Sequence, residues 1–312
     1  MNKKILQLMI ALLLMLGLVS CTVDSRLNMK FTPKVGDVYH INIIMDQEIK
    51  QTVSGQDSTI NQKLGFGFSL TAREADEAGN TWVDVKYEWV QLDQKSDMGN
   101  VVYDSRNPTN EDNPLATGFK VLVGKGYSMK ISPDGEVLEV TGIDTMISDI
   151  LKEVGVTDEQ LIAQMEQQFK EKYSTDSLKE QAGNMVINFP DEPIEIGDSW
   201  TSTVSSSSLV PVNVETTYTL TSYENELATV NVVSVISQDA EGAETNLGPY
   251  KVRYNLSGTQ EGTITVDTKT GWSVNSTIDQ AIAGDMTMII NDQEILVPMS
   301  ITSHVTVEMI GQ

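Results

Sequence analysis

The chain has 312 residues, 40% of them apolar, with one cysteine, two histidines, and 44 Asp plus Glu against 21 Lys plus Arg for a formal charge of −23. That charge repels phosphate backbones and no window supplies a compensating basic stripe, which excludes nucleic acid as a partner. A single thiol closes no internal disulfide and, with only His40 and His304, builds no Cys/His zinc site. The length suits one large domain or two smaller ones with self-sufficient cores.

Residues 1–20 read as a secretion signal: Lys3 and Lys4 precede an apolar run from Ile5 to Val19 that is broken only by Gln7 and Gly17. The run is shorter than the roughly 20 apolar residues of a membrane-spanning helix. Leu18-Val19-Ser20-Cys21 resembles the lipobox of bacterial lipoproteins. The resemblance implies cleavage before Cys21 and attachment of a diacylglyceryl group to its sulfur, with residues 21–30 as a polar, lipidated tether. Two or three acyl chains hold a protein on its membrane, because each buried methylene contributes about 0.8 kcal/mol. Thr22 is not the aspartate that retains enteric lipoproteins at the inner membrane, and no acidic export run follows Cys21. By that analogy the expected address is the cell envelope, anchored in the outer membrane on its periplasmic face.

From residue 29 the period is two. Tyr39, Ile41, Ile43 and Met45 alternate with His40, Asn42 and Ile44; Leu64, Phe66, Phe68 and Leu70 with Gly65, Gly67, Ser69 and Thr71; and Val83, Val85, Tyr87 and Trp89 with Asp84, Lys86 and Glu88. These predict half-buried strands, the last two joined through Gly79-Asn80. After a loop from Ser105 to Thr117, strands are predicted over 119–123, 127–131 and 136–140, the last pair turned by Pro133-Asp134-Gly135. Helical spacing is confined to 142–183. Ile143, Met146, Ile147 and Ile150 recur at three and four, Thr157 with Gln160 forms a capping box before Leu161, Met165 and Phe169, and a short helix is expected over 175–181. Beyond 184 alternation returns, predicting strands at 212–220, 228–236, 250–256, 262–266, 272–278, 286–290 and 295–309.

Two echoes organise the pattern. Lys34-Val35-Gly36-Asp37-Val38-Tyr39 recurs as Glu195-Ile196-Gly197-Asp198-Ser199-Trp200, and the stretch from Ile131 to Val137 recurs as that from Val266 to Trp272. Gly-Asp supplies a turn into a strand and the aromatic residue opens its buried face, so both motifs are structural. The fold class expected is mainly β: two related, curved antiparallel sheets, an internal duplication over 29–140 and 186–312, bridged by a short helical segment at 141–185. The lipobox, the Gly-Asp-aromatic strand openings and the Phe189-Pro190 lead into the second of them resemble an uncharacterised Bacteroidota lipoprotein family, a domain of unknown function. That resemblance brings no activity or binding residues. More remotely, the outline is similar to LolA-like and mycobacterial LppX-like carriers, whose half-barrels hold acyl chains.

Catalytic chemistry is poorly supplied. Both histidines fall on the polar side of an alternating strand, and no thiol stays free after lipidation, which leaves Ser-His-Asp and Cys-His arrangements poorly supplied. No calcium-loop spacing, phosphate loop or dinucleotide glycine motif is present, so no catalytic residue, metal or cofactor is expected and the protein reads as a non-enzyme. Ser58, Thr145 and Ser177 stand in Asp57-Ser58-Thr59, Asp144-Thr145-Met146 and Asp176-Ser177-Leu178, which resemble the Asp-Ser/Thr-apolar O-glycosylation sites of Bacteroidota, Ser58 in an expected loop. Two functions fit. In one, Met146, Ile147, Ile150, Leu161, Met165 and Phe169 help to line a cavity for an acyl chain or another hydrophobic ligand. In the other, the protein is an anchored scaffold with a filled core that engages an envelope protein. Methionines 286, 288, 299 and 309 suit a pocket wall or ordinary core.

Overall fold

The computed structural model describes residues 26–53, 55–97, 99–108, 113–155, 186–206, 212–238, 244–247, 250–290 and 293–311. Within them the period-two runs become strands, because a strand that buries every second side chain is satisfied only beside other strands of the same pattern. The first half holds β1 (Val38–Val53), β2 (Gln56–Ala75), β3 (Thr81–Ser96), β4 (Gly99–Asp104), α1 (Pro114–Lys120), β5 (Gly126–Ile131), β6 (Val137–Thr141) and α2 (Ile143–Glu153). The second holds β7 (Ser199–Ser206), β8 (Val212–Glu224), β9 (Leu227–Gln238), β10 (Glu244–Leu247), β11 (Tyr250–Asp267), β12 (Ser273–Ile290) and β13 (Gln293–Met309).

Mainly antiparallel β structure is what the chain adopts, and the two expected sheets are the wings of one continuous sheet. Its order is β6-β5-β3-β2-β1-β13-β12-β11-β9-β8-β7, with β4 beside β3 and β10 beside β11. The wings meet where β1 pairs β13, Ile41 opposite Met309 through Gln51 opposite Met299. Pairing with β1 stops one residue short of Pro298, whose missing N–H cannot donate to a ladder.

The echoes are repeated geometry. Gly36 (φ 95°) and Gly197 (φ 102°) both occupy the left-handed region that favours glycine. The Gly36 N–H donates to the Ala72 carbonyl at 2.7 Å and the Ala72 N–H to the Asp37 carbonyl at 3.2 Å; in the other wing Gly197 donates to Leu220 at 2.7 Å and Leu220 to Asp198 at 3.0 Å. The second echo closes the β5–β6 and β11–β12 turns, with Gly135 and Gly271 at φ 83° and 80°. The segment entering β1 ties both turns together: Phe31 donates to the Pro133 carbonyl at 2.6 Å and Thr32 to that of Thr270 at 2.9 Å.

The main core lies at this end of the sheet. Tyr39, Ile41, Leu70, Val83, Val85 and Met129 of one wing join Leu220, Val230, Val266 and Trp272 of the other, filled by Met29 and Phe31 and by Val186, Ile187 and Phe189. Phe31 meets Trp272 edge-on at 4.8 Å between ring centroids.

Three expectations are corrected. Residues 119–123 form no strand: Phe119 and Lys120 end α1, and Ala116, Phe119 and Leu122, spaced by threes, pack over Val90 and Tyr103. A short apolar run does not distinguish the two periods. The predicted pairs 250–256 with 262–266, and 272–278 with 286–290, are the single strands β11 and β12. Ser58 lies within β2, half-buried opposite Gln51, rather than in a loop. Of the expected helices, α2 is described; the capping box and the helix over 175–181 lie outside the described residues.

Candidate functional site

Residues paired across a ladder share a face, so the registers trace whole rungs across the sheet. One rung runs through nine strands: Ser202, Thr216, Ser234, Gln260, Gln280, Ser303, Gln47, Gln62 and Gln94. Every member is polar and uncharged. On either side, two residues along, the same face is without charge and apolar except at Ser96 of β3: Met45 and Ile49 flank Gln47, Leu64 and Ile60 flank Gln62, and Val232 and Ile236 flank Ser234. Ile278 and Ile282 flank Gln280, and Gly262 and Gly258 flank Gln260. A polar belt thus crosses an apolar face.

Part of the belt is internally satisfied. Gln62 Nε2 donates to Gln47 Oε1, Gln47 Nε2 donates to Ser303 Oγ at 3.0 Å, and the hydroxyls of Thr216 and Ser234 bond at 2.9 Å. At the β7 edge Asn188 Nδ2 donates to Ser202 Oγ at 2.7 Å. No such bond involves the half-buried side-chain amides of Gln94, Gln260 and Gln280 among the described residues. Burial pushes the phenol of Tyr218, beside the belt on β8, above its ordinary pKa, opposed by a hydrogen bond with Thr216.

Beyond the belt, away from the main core, the face stays apolar along β11 and β12 and through Ile301, Met299, Val297 and Ile295 of β13. Ile282, Met286, Met288 and Met299 pack on Val252, Tyr254 and Leu256, and all seven belong to the three neighbouring strands β11, β12 and β13. Gln238 reaches this region with its Oε1 accepting the Leu256 N–H at 3.0 Å, while its buried Nε2 has no partner among the described residues.

The opposite face is charged at the same level. Asp93, Lys63, Asp46, His304, Asp279 and Glu261 form one rung along a groove of about 740 Å³. Lys63 pairs with Asp46 at 3.3 Å, and His304 Nδ1 lies 2.7 Å from Asp279. His40 stands similarly 3.0 Å from Glu88. Among the described residues no three His, Cys, Asp or Glu side chains are grouped to hold a metal ion. This face pairs charges in solvent, where each pair contributes little. Nearer the core end it is stiffened by Trp89, which lies over Gly65 and Gly67, donates to Asn42 Oδ1 at 3.2 Å and carries Arg106 3.9 Å above its ring.

Met146, Ile147 and Ile150 are half-buried on α2, which lies against β5. None of the three joins the cluster beyond the belt. Leu161, Met165, Phe169, Ser177 and Cys21 lie outside the described residues, and Thr145 is exposed on α2. Met286, Met288 and Met299 line the face beyond the belt, whereas Met309 packs on the main core. The belt itself is written in the sequence as Gln at inward positions of apolar strands, but only the pairing register aligns it.

A family model described as a family of unknown function (DUF6263) matches residues 78–273. No curated protein matches the sequence significantly. Among solved structures the chain is similar to a lipovitellin described for its lipid–protein interactions, at TM-score 0.49 and 7% identity, over 89% of this chain and 25% of that one. The chain thus spans about a quarter of that protein's length. It is also similar to the Pseudomonas aeruginosa protein OccK5 (OpdH), at TM-score 0.21 and 6% identity over 89% of this chain and all of that one. A third likeness is to an outer membrane channel of Pseudomonas putida F1, at TM-score 0.19 and 8% identity over 92% and 98% of the two chains.

Proposed function

The chain belongs to the DUF6263 family of unknown function, and we propose that it is a non-enzymatic envelope lipoprotein, anchored in the outer membrane through Cys21, that binds a hydrophobic ligand on its sheet. The observation that carries the reading is the apolar face beyond the polar belt, where, among the described residues, Ile282, Met286, Met288 and Met299 pack on Val252, Tyr254 and Leu256 of the same three strands. On β12 the inward positions from Gln280 to Ile290 span about 33 Å at the usual strand rise. That exceeds the roughly 15 Å half-thickness of a bilayer core that one acyl chain crosses. Adaptable methionines suit such a wall.

The test is native mass spectrometry of the secreted mature chain carrying Cys21→Ser, with lipid extraction of the same sample. A stoichiometric lipid that is lost on denaturation, and absent from Ile282→Asp and Met286→Asp variants, is the expected result. Ligand-free spectra with no uptake of added acyl probes overturn the reading and favour an anchored scaffold that engages another envelope protein.

A further inference from the structure

Resting on that reading, we propose that the belt recognises the head of the bound molecule, and that this head is uncharged and hydroxyl-bearing, as in an acylglycerol. Three observations carry this. First, the amides of Gln260 and Gln280 stand adjacent on paired strands, half-buried between apolar rungs and without hydrogen bonds among the described residues. An amide both donates and accepts, and so matches a hydroxyl beside an ester carbonyl. Second, no Asp, Glu, Lys, Arg or His occupies the belt or the neighbouring rung on either side of it on this face. A carboxylate or phosphate placed there would lose its hydration with no counter-charge to replace it. Third, among the described residues Gln238 leaves a buried amide nitrogen unpartnered just beyond the belt, a further neutral donor toward an ester oxygen.

The acyl chain then lies along β11–β13 from the belt toward Ile290, and the head sits mid-sheet. The charged rung containing Lys63 and His304 is on the opposite face and takes no part.

The experiment uses membranes carrying the full-length, acylated protein, exposed briefly to a photoactivatable monoacylglycerol or to the fatty acid of the same chain length, with cross-linked peptides mapped by mass spectrometry. The expected result is monoacylglycerol labelling of β12 and β13 peptides about tenfold above the fatty acid, which corresponds to one hydrogen-bonded contact or two. The preference is expected to vanish in Gln260→Leu/Gln280→Leu. Gln280→Lys supplies the missing counter-charge and is expected to reverse it, a gain that misfolding cannot produce. Equal labelling by both probes in all three proteins overturns the belt's role while leaving a hydrophobic ligand in place. Labelling of β12 and β13 by neither probe overturns the ligand reading as well.

Discussion

On β1, Tyr39 and Ile41 lie at one end and Ile49 near the other, all on one face; the first two are buried and the third is only half-buried. At the Tyr39 end both wings contribute to one cluster, and the segments around Phe31 and Ile187 fill it. Beyond Gln47 the cluster, among the described residues, draws on β11, β12 and β13. The alternation is the same in both regions, so period-two patterning specifies which face is apolar and leaves open what covers it. Here the covering is done at one end by two short non-strand segments tied to the β5–β6 and β11–β12 turns.

The sharpest way to break this contrast is at Trp272, fully buried against Phe31. Trp272→Ala is expected to cost about 3–5 kcal/mol, read as a lower urea midpoint at constant slope. A paired measurement tests the contrast directly. Leu70→Ala, at a fully buried position, should cost about 2–5 kcal/mol, whereas Ile282→Ala beyond the belt should cost less than half of what Leu70→Ala does. Equal losses would mean that both ends are packed as core.

Gly67→Ala probes the rear of the core end. Its Cβ would lie 1.9 Å from Trp89 Nε1, so the indole must leave its place and its contact with Arg106. A loss of about 1–3 kcal/mol is expected, together with a changed near-ultraviolet circular dichroism spectrum. An unaltered spectrum would show that Trp89 does not lie over Gly67.

The smallest effect concerns Asp104, whose carboxyl the Arg106 guanidinium holds below the usual range. A depressed folded value means that the pair stabilises the protein above the ordinary Asp value of about 3.9. That contribution is lost as pH falls through the folded value. Wild type should therefore exceed Asp104→Asn by under about 1 kcal/mol at pH 6, and the gap should close on acidification. A constant gap would assign the loss to packing.

Strand identity and the apolar face of most strands were legible, because Tyr39, Leu70 and Val83 sit in unbroken alternation. The Gly-Asp turns were legible because glycine, with no Cβ, enters the left-handed region freely. What misled was the belt itself. Gly258-Thr259-Gln260-Glu261-Gly262 reads as a break between strands, yet it is mid-strand in β11, with each glycine packed against a β12 carbonyl that a Cβ would strike. The Gln47–Gln280 level could not be seen along the chain, since its members are brought level only by pairing between distant segments. The α2 residues Met146, Ile147 and Ile150 announced themselves by helical spacing, whereas the face that emerged on β11–β13 is spread over many short apolar positions.

The seam between β1 and β13 joins the first strand of the sheet to the last, eleven paired residues from Ile41 to Gln51. A chain made from its N-terminus cannot complete the middle of its sheet until residue 309 has been added. Until then β1 carries an open edge that invites other chains. Folding dominated by such distant partners is slow, so the central pairing forms late, and truncation near the C-terminus would leave the centre of the sheet, rather than its rim, unmade.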